Sequence, residues 1–240
     1  MTLSLYYLFD SRLALMAERK SYHQFCALAR GLDVVGDRWT LLVVRELLLG
    51  ARSFRELQNG LAGISPNLLT DRLQVLQDEG VVARNNAPAR SKTVVYTLTD
   101  VGSSLEDVVF ELIRWGARWM ATGPGTDRVD PQWSVLALRA LLEDRIPGDN
   151  SRRGVVQVDV DGTPVTIELR NGWRAVRPGH SGVADATVTG RMPDLLAVVA
   201  GIRDVDACLQ VQGDRDIAGT ALSTHDRVLE ESADEAITTP

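Results

Sequence analysis

The chain has 240 residues, of which 45% are hydrophobic and 24% charged, and its formal net charge is −6. The length predicts one large domain or two small ones. No apolar run is long enough to form a membrane-spanning helix, so we expect no membrane partner. The two cysteines, Cys26 and Cys208, are expected to lie in different domains. This usage indicates a reduced, cytoplasmic protein without a structural disulfide.

The charge is divided unevenly along the chain. Residues 16–122 carry 13 Lys or Arg and 12 Asp or Glu, whereas residues 123–240 carry 12 and 19. This asymmetry favours two domains with different partners, although the first half is only weakly basic. The three histidines are scattered, and no Cys/His cluster has metal-ligand spacing. We therefore expect no metal, no cofactor and no catalytic site.

The first 49 residues precede the most informative stretch. Residues 1–20 read as an N-terminal extension, either of little functional meaning or with a short helix that packs on a partner. Residues 21–49 predict two helices, and Asp37 is a candidate cap for the second. Cys26 lies in the first helix, where a free cysteine is most often a small buried hydrophobe. The alternative is a reactive thiol, which requires exposure and cationic neighbours.

The stretch 50–100 predicts a helix, a tight turn, a second helix and a two-stranded ribbon. Ser53 and Glu56 form a capping-box pattern for the first of these helices. Ser65 is a good N-cap for the second, and Pro66 suits its first helical position. This order of elements is that of a winged helix-turn-helix.

The second helix has one apolar and one polar face. Leu69, Leu73 and Leu76 should be buried, whereas the opposite side carries groups that both donate and accept hydrogen bonds, as base reading in the major groove requires. A solvated amphipathic helix would show the same periodicity. The side chains predicted nearest to DNA are Ser65, Asn67, Thr70, Asp71, Arg72 and Gln74.

The ribbon after this helix favours the DNA-binding interpretation. Residues 81–84 and 93–96 are β-rich runs. The loop between them contains two basic residues and no acidic one. A wing that lies over a phosphate backbone needs such charge, so we predict phosphate contacts for Arg84, Arg90 and Lys92.

Residues 100–120 predict one long helix, with Thr99 or Asp100 as its cap. Its apolar stripe between Leu105 and Met120 is broader than one face of a small domain is expected to bury. Pairing with a second copy would cover the surplus, which predicts a homodimer. The alternative is that the stripe packs on its own domain or on the second one.

The motifs along residues 22–120 resemble those of HxlR-type transcriptional regulators. The resemblance begins with CALARGLDVVGDRWT at residues 26–40 and continues, in order, at residues 42–50, 54–57, 63–73, 76–80 and 96–99. It implies a dimeric winged-helix protein that binds a double-stranded DNA operator and dimerises through the first and last helices of this domain. Cys26 matches the position at which some such proteins sense quinones, aldehydes or oxidants. Arg38 stands where many relatives have Lys.

The second half of the chain has a different pattern. Gly and Pro mark residues 123–130 as a linker between a domain at 21–122 and a domain at 131–228, with a tail at 229–240. Val156, Val158 and Val160 alternate with polar residues, and a second such run spans 165–169. The dipeptides at 161–162 and 171–172 are hairpin turns, and further strands and helices follow. The fold class is therefore α+β, with an antiparallel sheet and helices after the winged helix.

This half resembles sterol carrier protein-like domains at residues 184–190, 192–196 and 209–219. The resemblance implies that an apolar small molecule is held between the sheet and the helices, with Trp173 a candidate lining residue. A filled core is the alternative. We interpret the chain as a DNA-binding regulator. The competing hypotheses are a lipid or small-molecule carrier whose winged helix contacts proteins, and an enzyme whose site carries no recognisable motif.

Overall fold

The structure is a computed structural model that describes residues 21–86, 93–120, 123–143 and 152–223. The chain forms two compact units that divide between Leu105 and Glu106. The sequence-based limit of the first domain, at residue 122, lies later in the chain than this division into compact units. The predicted domain limits stay predictions. The predicted extension 1–20 and tail 229–240 lie outside the described residues.

The N-terminal unit contains five helices and a small sheet among its described residues. Its elements are α1 (Ala27–Val35), α2 (Thr40–Leu48), β1 (Arg52–Ser53), α3 (Phe54–Gly60), α4 (Pro66–Asp78), β2 (Val82–Asn86), β3 (Val94–Leu98) and α5 (Asp100–Ser103). The strand order is β1-β3-β2, and both pairs are antiparallel. Helices α3 and α4 with the β2–β3 ribbon make the predicted winged helix-turn-helix.

Local capping signals account for the ends of α3 and α4. Ser53 and Glu56 form the predicted capping box, in which the Glu56 carboxylate accepts from the Ser53 backbone N–H at 2.7 Å. Ser65 caps α4 by accepting from the Leu68 N–H at 3.3 Å, and Pro66 occupies the first helical position. These groups satisfy N–H donors that have no partner inside the helix.

The prediction that Asp37 caps the second helix is wrong. The N-cap of α2 is Trp39, which has a left-handed φ of 78° and no side-chain cap. The Asp37 carboxylate instead contacts the guanidinium of Arg72 on α4. Asp37 lies two residues before the N-cap, so its side chain is not at the capping position.

The long helix predicted over residues 100–120 is interrupted. It is divided into α5, α6 (Glu106–Ala117) and a 3-10 turn (Arg118–Met120). The break follows Gly102, Ser103 and Ser104, which are weak helix formers, and the Ser104 hydroxyl donates to the carbonyl of Val101 at 2.7 Å. Gly102 also lies so close to the Val81 carbonyl that a Cβ would be 2.1 Å from its oxygen.

The C-terminal unit begins with α6 and contains a five-stranded sheet. After the 3-10 turn its elements are α7 (Gln132–Leu142), β4 (Gly154–Val160), β5 (Thr163–Arg170), β6 (Trp173–Pro178), β7 (Ala186–Gly190), α8 (Met192–Val199), α9 (Val205–Cys208), β8 (Gln210–Gly213) and α10 (Arg215–Leu222). The strand order is β6-β5-β4-β7-β8. Asp161 and Asn171 have φ of 50° and 52°, as the predicted Asp-Gly and Asn-Gly turns require.

The α+β fold class is confirmed, with one correction. The sheet is mixed rather than antiparallel, because β7 runs parallel to β4. The chain between β6 and β7 returns across the sheet. The Gln157 side chain accepts the Ser181 N–H at 2.8 Å, and the Thr166 hydroxyl donates to the Gly179 carbonyl at 2.9 Å. These two buried polar residues hold the connection that crosses the sheet from β6 to β7. A local alternation pattern predicts strands but not whether two of them pair in parallel through such a crossover.

The opposite face of this sheet forms the core of the unit. Val156, Val158 and Ile167 are fully buried, as their period of two predicts. Helix α7 packs on β6, and α10 packs on β4 and β7. The two layers therefore enclose one apolar core.

Candidate nucleic-acid interface

Helix α4 presents two chemically different faces. Leu69, Leu73 and Leu76 are at most 2% exposed and join the core of the N-terminal unit. The polar residues of the other face are exposed: Asn67, Thr70, Asp71 and Gln74. Burial of the leucines fixes the rotation of α4 about its axis, so the exposed face is preset before any ligand arrives.

Hydrogen bonds within α4 orient part of this polar face. The Thr70 hydroxyl donates to the Pro66 carbonyl at 2.9 Å. The Gln74 amide donates to the Asp78 carboxylate at 2.8 Å, which leaves the amide oxygen of Gln74 able to accept. Ser65 accepts the helix N–H described above, so its side chain also serves the helix end. These contacts limit the rotamers of the side chains that were predicted to read bases.

Arg72 has an intramolecular partner that the sequence did not indicate. Its guanidinium pairs with the Asp37 carboxylate, and its side chain is only 18% exposed. The Nε atom of Arg72 is buried and has no hydrogen-bond partner among the described residues. Arg72 therefore joins α4 to the segment before α2, a role distinct from the predicted DNA contact. The two residues are 35 positions apart in the chain, so no local sequence pattern predicts this pair.

The β2–β3 ribbon follows α4 at the position of a wing. Arg84 is exposed on β2, and the Asn85 amide donates to the Thr97 hydroxyl at 2.9 Å across the ribbon. Arg90 and Lys92 lie outside the described residues. The described part of the wing therefore includes one of the three residues that were predicted to contact phosphates.

Cys26 precedes α1 and is exposed as a free thiol. Arg30, a cationic residue four positions after Cys26, pairs with Asp33 at 3.4 Å. The pKa of Asp33 is lowered, chiefly by the backbone N–H of Tyr22, with further contributions from Ser21 and Arg30 that outweigh desolvation. The thiol is thus exposed in the single chain, and both interpretations of Cys26 stay predictions.

Trp173 is paired across the β5–β6 hairpin with Arg170, which lines a cavity of the C-terminal unit, but Trp173 does not line it. Trp173 opens β6 and is 53% exposed. A cavity of about 370 Å³ is lined instead by Arg153, Gly154, Val155, Leu169, Arg170 and Asn171. It lies where β4 begins and β5 ends, so Trp173 is not among the residues that form it.

Across residues 21–86, 93–120, 123–143 and 152–223, no group of three or more His, Cys, Asp or Glu side chains is arranged to hold a metal ion. Within those same ranges no helix has the length and apolarity needed to cross a bilayer.

The fold and the faces of α4 define a winged helix-turn-helix, DNA-binding transcriptional regulator. Residues 34–124 match the HxlR-like helix-turn-helix family. The chain is 34% identical to the HTH-type transcriptional regulator YvaP of Bacillus subtilis (strain 168), over 38% of this chain and 84% of YvaP. It is 31% identical to the HTH-type transcriptional regulator YodB of the same organism, over 38% of this chain and 81% of YodB. The chain belongs to the HxlR-like helix-turn-helix family, which confirms the resemblance seen in the motifs.

One solved structure that is similar to this chain is that of YodB. The reduced form of YodB from B. subtilis is 29% identical, covers 42% of this chain and 99% of its own, and has a TM-score of 0.36. The matched family residues end at 124, so the resemblance of the second half to sterol carrier protein-like domains stays a prediction.

Proposed function

We propose that this regulator reads its operator with the exposed face of α4. The observation that carries the proposal is that the buried leucines leave Asn67, Thr70, Asp71 and Gln74 together on one exposed side. Amide, hydroxyl and carboxylate groups can pair with the donors and acceptors of base edges in the major groove. Ser65 would lie at the helix end nearest to the backbone, with Arg84, Arg90 and Lys92 near phosphates on the wing. Arg72 would act mainly by holding Asp37.

The regulator would work as a homodimer. On α6 and the turn after it, large apolar side chains are exposed, and Trp115 is 56% exposed. Trp115 and Trp119 meet edge to face with ring centroids 4.5 Å apart, and the Arg118 guanidinium lies within 6 Å of both rings. Val108 and Leu112 extend this apolar surface, and Leu28 on α1 exposes another together with Phe25, which lies just before that helix. Burial of such surfaces between two copies would stabilise a symmetric pair.

The C-terminal unit would bind an apolar small molecule. Its support is the apolar face of the sheet, the helices that cover it and the cavity beside Gly154 and Leu169. Three of the six residues that line the cavity are polar or charged, and small-molecule sites typically combine apolar walls with a few convergent polar groups. The described cavity makes Leu169 a better candidate for a lining residue than Trp173.

The test of the DNA-reading face uses single alanine variants of the full chain. A duplex is first selected by the wild-type protein from a random pool, and binding is then followed by fluorescence anisotropy. Asn67→Ala and Gln74→Ala should each lose about 1–3 kcal/mol of discrimination at one base position. Gln212→Ala, an exposed glutamine on β8, is the matched control.

The outcome separates the regulator from the competing carrier hypothesis. If both α4 variants select the same duplexes as the wild type with the same affinity, α4 does not read bases. If the wild type selects no duplex at all but is stabilised by apolar compounds in thermal-shift assays, the carrier hypothesis is favoured.

A further inference from the structure

The cavity of the C-terminal unit lies at the open end of the β4–β5 hairpin, away from its turn. Gly154 and Leu169 form the last pair of this antiparallel ladder. Arg153 precedes Gly154 and Arg170 follows Leu169, so two arginines flank the same end of the hairpin. Both line the cavity, whose volume is about 370 Å³. A volume of this size falls within the range of small-molecule sites.

The walls of this cavity include both charged and apolar groups. Arg170 is 76% exposed, whereas Leu169, the residue beside it, is 1% exposed and belongs to the apolar core. Successive residues of a strand point to opposite faces of the sheet, so Leu169 faces the core together with Ile167. Val155 adds further aliphatic atoms to the lining. A molecule in the cavity would therefore meet guanidinium groups on the solvent side and aliphatic carbons on the core side.

The polar residues of the lining keep hydrogen-bond donors for a ligand. The Arg153 guanidinium donates to the amide oxygen of Asn171 at 2.8 Å. This contact uses one of the five N–H donors of the guanidinium and leaves the amide N–H groups of Asn171 able to donate. Arg170 pairs with Glu168 at 3.1 Å, which likewise uses only part of its donors. The three residues thus offer donors of a kind that suits an acceptor-rich group.

The carboxylates near this end of the hairpin are engaged by other partners. Asp185 accepts the backbone N–H of Val155 at 2.8 Å. Glu168 lies 3.1 Å from Arg170 and 3.7 Å from Arg177. Neither acid is among the six described residues that line the cavity, which carry two positive charges and no negative one. A cleft lined by one sign of charge attracts ligands of the opposite sign.

We propose that this cavity binds an amphiphilic carboxylate, an aliphatic chain that ends in one carboxylate group. Arg153 and Arg170 hold the carboxylate, and Leu169 and Val155 contact the chain. This assignment rests on the small-molecule binding proposed above for the C-terminal unit and names the chemistry of the ligand. A guanidinium presents a planar fork of donors that matches the two oxygens of a carboxylate. A neutral apolar molecule would leave those donors to water and gain only from the aliphatic wall.

The experiment compares octanoate with octan-1-ol, two probes that share an alkyl chain and differ in the head group. Binding to the full chain is measured by isothermal titration calorimetry at low ionic strength. Octanoate should bind at least about tenfold more tightly than octanol, because hydrogen bonds to an ionised group are about twice as strong as neutral ones. Added salt should weaken the binding of octanoate and leave that of octanol almost unchanged.

Single variants test the two arginines. Arg153→Gln and Arg170→Gln should each reduce the preference for octanoate to about threefold or less without changing the affinity for octanol. Arg153→Lys should keep part of the preference, since it retains the charge but lacks the planar fork. Arg177→Gln is the matched control, because Arg177 also contacts Glu168 but does not line the cavity. Its preference should equal that of the wild type.

The outcomes distinguish the carboxylate site from the broader proposal. If neither probe binds the wild type, small-molecule binding by this unit and the carboxylate site both fail. If the two probes bind equally, binding of an apolar molecule stands and the carboxylate site is refuted. If both glutamine variants keep the full preference for octanoate, the anion binds elsewhere and the assignment to this cavity is overturned. Thermal melting without probe checks that each variant folds, and if one glutamine variant does not fold, the other decides the result.

Discussion

The pair formed by Arg72 and Asp37 offers a direct test of how α4 is held. Asp37→Ala and Arg72→Ala each remove one partner, and the double variant removes both. If Arg72 mainly holds Asp37, the losses in the free energy of unfolding will not add. A base-reading Arg72 would instead lose DNA affinity in Arg72→Ala while Asp37→Ala left the stability almost unchanged.

The exposure of the two side chains sets the expected magnitude. Arg72 is 18% and Asp37 46% exposed, so solvent screens the interaction in part. Exposed ion pairs contribute about 0.2–1 kcal/mol, and the partial burial of Arg72 places this pair near the upper end. A loss of about 1 kcal/mol lowers the melting temperature of a unit of this size by roughly 4–8 °C.

The assay is a double-mutant cycle followed by urea unfolding and by thermal melting. We expect a coupling free energy of about 0.5–1 kcal/mol between the two positions. Arg55, an exposed arginine on α3, supplies the control, since Asp37→Ala and Arg55→Ala should be additive. A coupling free energy no larger than that of the control would refute the view that this pair holds α4.

Three further predictions concern the cap, the core and the thiol. The capping box lowers the pKa of Glu56 below its usual value of 4.5, mainly through the Ser53 hydroxyl. The stabilisation by the ionised carboxylate should be complete above about pH 4.5 and disappear as the pH falls through the lowered pKa. Glu56→Gln should flatten this part of the pH profile of the free energy of unfolding, measured by urea titration. Leu73→Ala should cost about 2–5 kcal/mol in urea unfolding, because Leu73 is 2% exposed within the core, and a loss below 1 kcal/mol would contradict the packing. If Cys26 senses electrophiles, quinone should release DNA from the wild type but not from Cys26→Ser, and equal release from both proteins would exclude the thiol.

Features set by neighbouring residues could be predicted from the sequence. The capping box at Ser53, the buried stripe that contains Leu69 and the turn at Asp161 each depend on residues at most a few positions apart. Periodicity and turn chemistry are local properties, so they need no knowledge of the rest of the fold. The family motifs added the identity of the DNA-binding half, which the weak charge asymmetry could not supply.

Features set by distant partners could not be predicted in this way. Arg72 looks like a flank residue of a recognition helix until the fold brings Asp37 beside it. Arg139 donates to the carboxylate of Glu106 at 2.7 Å, but the two residues are 33 positions apart, and nothing in their local sequence links them. The direction of β7 likewise depends on a crossover fixed by Gln157. Each of these interactions forms only after the elements have packed, and charged residues on helices are usually solvated.

A dimer of this chain would place two α4 helices in successive major grooves of its operator. Hydroxyl-radical footprinting of the full chain on its selected duplex measures this placement. We predict two protected regions centred about 34 Å apart, or one helical turn of DNA, on one side of the duplex. A single protected region, or two regions whose separation is not a whole number of helical turns, would exclude this placement of the two helices.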